Sequence, residues 1–343
     1  MTSEPEAPTP SQGGSEPEVP ATPEQGLWFP VGGAVVTRLE STAGGSFTGW
    51  VERITGGEGA ASWSIIAKHL EATPDRPHWD REAFVYADRT WLDRILPEGL
   101  LAPRLLATHR ETASATLILE DLGPTCGPPT LDAALLLARF NGTVSAPTPW
   151  WSNDFLAQEF ALLADRPERL ETPSSDSRIT ELKTILGQLL RRAPRLLNDI
   201  ATLPHGPAHL DAYSRNLIDA DATGRIGLID WASAGSAPIG TDPATLFALG
   251  LAYLDLDAAD ITVIEGDIVE AMLRGLADVD APVSPTDAKR TFHAVSRLRF
   301  LAMMMNALPM VERRDAAVAD ITGHPLDVII DRWIAIGDHL LTT

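Results

Sequence analysis

The hydrophobic pattern changes character about a third of the way along the chain. From Leu27 to about Asp121, short β-branched runs stand between glycines. Ala34-Val-Val-Thr-Arg-Leu-Glu40, Trp50-Val-Glu-Arg-Ile54 and Trp63-Ser-Ile-Ile-Ala-Lys68 each read as a strand, with the turn Thr55-Gly-Gly-Glu-Gly59 between the second and third. From Trp79 to Leu96 the period lengthens. Phe84, Ala87, Trp91, Leu92 and Ile95 recur at helical spacing, and Pro97 stops the helix. Leu105 to His109 and Thr116-Leu-Ile-Leu119 predict two more strands. Beyond Gly123 the 3.6-residue period takes over, near 130–141, 151–164, 179–199, 261–277, 285–307 and 325–341. One β-like island interrupts it, between about Leu217 and Trp231. Strands first and helices afterwards predict an α+β chain: a small antiparallel-sheet lobe over 26–122 and a large helical lobe over 123–343.

Residues 1–25 lie outside this pattern. They hold six prolines, five glutamates and no basic residue, and so carry −5 of the net charge of −20. With almost nothing to bury, such a segment does not offset its ordering entropy, and a disordered acidic tail is expected. The length of 343 residues fits two structural units at about 150 residues each.

Composition narrows the function classes. An excess of 47 acidic over 27 basic residues argues against nucleic acid and anionic membranes as partners, since both need a basic footprint. Cys126 is the single cysteine, which rules out an internal disulfide and a cysteine metal cluster. The eight histidines show no His-Glu-x-x-His spacing, and no apolar run reaches the ~18 residues that span a bilayer. The N-terminus is acidic where a signal peptide would be basic, so a cytoplasmic location is expected. No Gly-x-x-x-x-Gly-Lys-Ser/Thr occurs, which excludes a Walker P-loop enzyme.

The most informative stretch is His209-Leu-Asp211-Ala-Tyr-Ser-Arg-Asn216, with Gly227-Leu-Ile-Asp230-Trp231 after it. Phosphoryl transfer needs one carboxylate to meet the acceptor hydroxyl, and an amide oxygen and a second carboxylate to hold Mg²⁺ on the phosphates. Asp211 fits the first role; Asn216 and Asp230 fit the others. A loop leading into a hairpin, out along Leu217-Ile218, around Asp221-Ala-Thr-Gly224 and back along Ile226 to Ile229, would bring Asp230 beside Asn216. Taken singly, these residues are also turn formers or helix caps.

His-x-Asp-x-x-x-x-Asn followed by Ile-Asp-Trp resembles the aminoglycoside phosphotransferase and choline kinase superfamily, over about residues 30–250. The resemblance implies a two-lobed, protein-kinase-like fold with ATP and Mg²⁺ as cofactors. It also implies a glycine-rich turn over the phosphates, a lysine on the third strand and a glutamate on the next helix. Gly44, Gly45 and Ser46, then Lys68, then Glu82 match these in order. Leu117-Ile-Leu-Glu-Asp-Leu-Gly123 resembles the family's inter-lobe segment, where adenine would pair with the carbonyl of Glu120 and the N–H of Leu122. Asp242 matches an acidic position that braces the catalytic loop; its other reading is a helix cap before Pro243.

Two departures stand out. Leu210 occupies a position that is usually glycine in the family, and Tyr213 stands where many protein kinases carry a phosphate-neutralising lysine. Arg215 and His209 are candidates to replace that lysine. The expected activity is transfer of the γ-phosphoryl of ATP to a hydroxyl of a small metabolite or antibiotic. A cationic acceptor is expected between Asp211 and the later helices, with Asp154, Glu159, Phe300 and Met303-Met-Met305 beside Asn306 on the wall. Two other readings stay open: a kinase-like partner acting on serine or threonine of a peptide, and a nucleotide-binding pseudokinase.

Overall fold

The computed structural model describes residues 35–39, 48–57, 62–73, 78–124, 131–145, 148, 151–164, 168–172, 174–219, 224–257 and 260–343. The expected tail over 1–25, the turn bearing Gly44, Gly45 and Ser46, and most of the turn at 221–224 lie outside them.

Five strands form an antiparallel sheet in the order β1 (Val35–Leu39), β2 (Thr48–Gly56), β3 (Trp63–Glu71), β6 (Ser114–Glu120), β5 (Leu105–Arg110). The two-residue period sorts its side chains. Ala115, Leu117 and Leu119 of β6 and Leu70 of β3 join the main core, whereas Ile118 and Ala67 pack with Ile54 on the opposite face. Lys68 shares parity with Ile66 and Leu70 and therefore faces the main core, where it is buried.

The predicted helix over 79–96 is two helices, α1 (Arg81–Ala87) and α2 (Arg89–Ile95). Asp88 breaks the run: its backbone leaves the helical region (φ −86°, ψ 64°) and its carboxylate accepts the N–H of Trp91 at 3.0 Å, capping α2. A short strand that the pattern did not predict, β4 (Leu100–Leu101), turns away from the five-stranded sheet. It pairs in parallel with β9 (Ile226–Leu228), far along the chain.

The remaining helices are α3 (Leu131–Gly142), α4 (Phe155–Ala164), α5 (Glu168–Glu171), α6 (Ser177–Ala201), α7 (Thr241–Ala252), α8 (Ile261–Asp278), α9 (Pro285–Glu312), α10 (Ala316–Thr322) and α11 (Leu326–Thr342). Among the described residues, no helix is long and apolar enough to cross a membrane. The β-like island is larger than its pattern. β8 (Leu217–Asp219) and β9 form the expected hairpin, and β7 (His205–Ala208) pairs antiparallel with β10 (Gly235–Pro238). Because β8 pairs with β9 and β7 with β10, the loop between β7 and β8 faces the loop between β9 and β10. The first carries Asp211 and Asn216; the second carries Asp230.

Candidate active site

The Lys68 ammonium lies 2.7 Å from Glu82 Oε2 on α1 and donates to Asp230 Oδ1 at 2.8 Å. Three distant stretches of sequence therefore meet on one charge. Burial works against that ammonium, but the carboxylates of Asp230 and Glu82 outweigh it and hold its pKa above the ordinary lysine value. The same burial pushes the fully enclosed Glu82 carboxyl up to about 7 against the pull of Lys68. At Asp230 burial loses to the Lys68 charge and hydrogen bond, and its carboxyl stays below the usual range. Arg81, next to Glu82, donates from Nη1 to the carbonyl of Ala232 at 3.0 Å, tying α1 to the turn after Asp230.

Asp211 is held by both oxygens. Oδ2 accepts Asn216 Nδ2 at 3.1 Å and Oδ1 accepts Arg299 Nη2 at 2.9 Å. Asn216 Nδ2 also donates to the carbonyl of Asp211 at 2.8 Å, closing the loop on itself. The Asn216 carbonyl accepts the N–H of Ile229 at 3.0 Å, which sets Asn216 next to the strand end that leads into Asp230. Burial raises the Asp211 carboxyl to about 6, with Arg299 opposing the rise.

Asp242 supports the loop from below. Fully buried, it accepts the backbone N–H groups of His209 and Leu210 at 2.8 Å each and Asn141 Nδ2 at 2.7 Å. The helix cap is Gly240, so Asp242 sits in the first turn of α7 rather than at its cap. Leu210 explains the missing glycine: its φ is 69°, in the left-handed region.

His209 is enclosed, its Nε2 donating to the carbonyl of Ile229 at 2.9 Å and its ring edge-on to Trp231. Burial lowers its pKa to about 4, so it is neutral. Arg215 donates to the carbonyl of Ile321 and stacks 4.5 Å over Tyr253, so it is engaged away from Asp211. Neither side chain offers a free cation to a phosphoryl group.

At the end of β6, the Glu120 carboxylate accepts from Arg104, and Leu122 packs against Gly227 of β9. Among the described residues the N–H of Leu122 has no protein partner. Asp121 between them is clamped by Arg53 Nε at 2.7 Å, Ser64 Oγ at 2.5 Å and the N–H of Gly123 at 2.9 Å.

On the helical side the expectations need correcting. Phe300, Met304 and Met305 are core residues, since their positions on α9 face other helices; Met303 is half-buried and Asn306 exposed. Both Glu159 oxygens accept from Arg299 Nη1 at 2.8 Å, so that carboxylate is already neutralised. Asp154 remains exposed. Arg299 itself was not singled out in the sequence. Its signal was a lone arginine on the buried stripe Phe292, Val295, Arg299, Ala302.

A family model described as "Phosphotransferase enzyme family" matches residues 82–277, more than half of the 343-residue chain. The chain belongs to this family. The match takes in Glu82, Asp211, Asn216 and Asp230, and leaves Lys68 and Arg299 outside it. Among solved structures, this phosphotransferase-family chain is similar to a choline/ethanolamine kinase family protein from Mesorhizobium loti, with TM-score 0.55 and 15% identity over 90% of this chain and 88% of that one. It is also similar to an aminoglycoside phosphotransferase from Alicyclobacillus acidocaldarius, with TM-score 0.53 and 17% identity over 89% and 91%. A third is an amicoumacin kinase in complex with AMP-PNP, Ca²⁺ and Ami, with TM-score 0.50 and 15% identity over 86% and 88%. At such identities the likeness establishes the fold: two-lobed and protein-kinase-like, with a small antiparallel-sheet lobe and a large helical lobe. No curated protein matches the sequence.

Proposed function

We propose that the chain transfers the γ-phosphoryl group of ATP, with Mg²⁺, to a hydroxyl of a small molecule. The observation that carries this reading is the convergence of Lys68 on Glu82 and Asp230, beside a loop that holds Asp211 and Asn216. A structural ion pair needs one carboxylate; here one ammonium serves two, on opposite sides of a lobe boundary.

The donor set fits Mg²⁺. Asn216 spends its amide N–H groups on Asp211 and leaves its amide oxygen without a protein partner among the described residues. The Asp230 side chain is 34% exposed, and both residues offer the hard oxygen ligands that Mg²⁺ takes. Bound there, Mg²⁺ would offset the negative charge of the β- and γ-phosphates.

The protein's own groups divide the remaining work. Lys68 binds phosphate oxygens while Glu82 fixes its ammonium. The N–H of Leu122 and the carbonyl of Glu120 orient the adenine edge, and Gly44, Gly45 and Ser46 approach the phosphates. Asp211 orients the acceptor hydroxyl and takes its proton as the new O–P bond forms and the bond to the β,γ-bridging oxygen breaks, releasing ADP. The amicoumacin kinase complex, with a nucleotide and a divalent ion in a similar fold, supports ATP and metal here. For a cationic acceptor, the support left is the exposed Asp154 and the net charge of −20.

An ADP-release assay of the purified chain with MgATP, against panels of amino sugars, amino alcohols, nucleosides and hydroxylated peptides, tests the proposal. Acceptor-dependent release that EDTA abolishes is expected. Asp211→Asn should lower kcat by about 10²- to 10⁴-fold with ATP affinity unchanged. MgATP binding with no release on any panel would leave a nucleotide-binding protein instead, and best turnover on hydroxylated peptides would make it a peptide kinase.

A further inference from the structure

Arg299 occupies a place on α9 where an apolar side chain would be ordinary. It is only 5% exposed, between the buried Val295 and Ala302. A guanidinium there loses its hydration and is retained only when its partners are well placed. Its partners come from two other segments. Nη1 donates to both oxygens of Glu159 on α4 at 2.8 Å, and Nη2 donates to Asp211 Oδ1 at 2.9 Å. The Phe155 ring lies 5.4 Å from the guanidinium carbon.

The catalytic loop itself offers Asp211 no cation. Tyr213 stands at the position of the usual lysine and stacks on Tyr253 at 5.1 Å, while Arg215 is drawn off to Ile321. The second tie on Asp211, from Asn216, belongs to a residue that also serves as a candidate metal ligand. Arg299 has no such second duty. Glu159 fixes it from behind, so the tie on Oδ1 is pre-organised before any substrate arrives.

We propose that Arg299, anchored by Glu159, is the positioning residue of Asp211, fixing the plane of its carboxylate from a C-terminal helix. This inference rests on the reading of Asp211 as the carboxylate that meets the acceptor. Misaiming a base of this kind costs rate rather than substrate binding, up to about 10²-fold for a displacement near 1 Å.

The test uses the full chain, with the acceptor that the ADP-release panel yields. Arg299→Gln should lower kcat by about 10- to 100-fold, with the KM for ATP within about threefold of wild type. Arg299→Lys, whose ammonium still donates to Asp211, should recover about tenfold of that loss. Glu159→Gln should fall between wild type and Arg299→Gln. An Arg299→Gln enzyme within threefold of wild-type kcat would overturn the proposal. Should Arg299→Gln not fold, wild-type kcat in both Arg299→Lys and Glu159→Gln would do the same.

A second arm is independent of turnover. The fall in urea midpoint caused by Arg299→Gln is compared in the wild-type and Asp211→Asn backgrounds. The tie predicts a fall at most half as large once Asp211 is gone, because one fewer carboxylate is then left unneutralised. Equal falls would sink the tie. Unequal falls together with no acceptor-dependent ADP release would instead count against phosphoryl transfer, leaving the geometric tie standing.

Discussion

Leu210, at φ 69°, is held in a backbone region that costs an L-residue about 1–2 kcal/mol. Its N–H donates to Asp242 and its side chain is buried with Ala208 and Ala237, so packing and a charge-assisted hydrogen bond offset the strain. The next residue, Asp211, meets Asn216 and Arg299 with its carboxylate. Asp230, at φ 63°, repeats the device, and strained non-glycine residues of this kind gather where a site over-determines them. Burial sets the Asp211 carboxyl near 6, against Arg299. A base must be ionised, so the rate is lost as pH falls through that value. We expect kcat/KM to fall on the acid side through about pH 6, with Glu82, raised by burial to about 7, and Asp242, raised by burial to about 6, adding protons to the limb. Asp230, lowered by Lys68, titrates below it, and His209, at about 4 and enclosed, does not touch the acceptor. A limb left unchanged in the residual activity of Asp211→Asn would remove Asp211 as a titrating group. The grouping of Lys68 with Glu82 and Asp230, and of Asp211 with Asn216, was legible because the proposed phosphoryl transfer calls for those residue types in that order. Arg299 was not, because its partners lie 88 and 140 positions away and no local spacing records such a tie.

The elements that carry the loop are less legible than the loop. β7 and β10 have four residues each, contain glycine and proline, and lack the β-branched run that marks β2 or β3. Their glycines are there for close approach: a Cβ on Gly206 would lie 1.9 Å from the carbonyl oxygen of Asn141, and one on Gly235 2.0 Å from that of Ser152. Gly206→Ala should therefore push β7 off α3 and disturb the Asn141–Asp242 bond beneath the loop that holds Asp211. A loss on the order of 3 kcal/mol is expected, read as a lowered urea midpoint with unchanged slope, and lower kcat in the folded fraction. Wild-type stability in that variant would show that the ribbon can shift at no cost. α7 was invisible for a different reason. Every residue of Thr241–Ala252 is buried, so no polar face breaks the apolar run and the 3.6-residue signal vanishes. α6, α8 and α11 each keep an exposed face and were predicted within two residues at either end.

At the scale of the molecule, the two lobes share one hydrophobic core and are joined by specific polar ties as well. β4 pairs with β9, Arg81 reaches the carbonyl of Ala232, and Lys68 spans from β3 to Asp230. Each crosses the proposed nucleotide cleft, so nucleotide and metal should stabilise the whole chain rather than one lobe. A ligand at 100 times its Kd adds about 2.7 kcal/mol to the folded state. A non-hydrolysable ATP analogue with Mg²⁺ should accordingly raise Tm by a few degrees, and by less when EDTA replaces the metal. Asn216→Ala and Asp230→Ala should lose the Mg²⁺-dependent increment and keep a nucleotide-only shift. Lys68→Ala should lose part of the nucleotide shift itself, and Asp211→Asn should keep both, because Asp211 is tied to Asn216 and Arg299 and not to the phosphates. The assignment of roles stands on that division. A Tm increment equal with and without Mg²⁺ in the wild-type chain would remove the metal from Asn216 and Asp230, and would leave Lys68 to carry the counter-charge of the cleft.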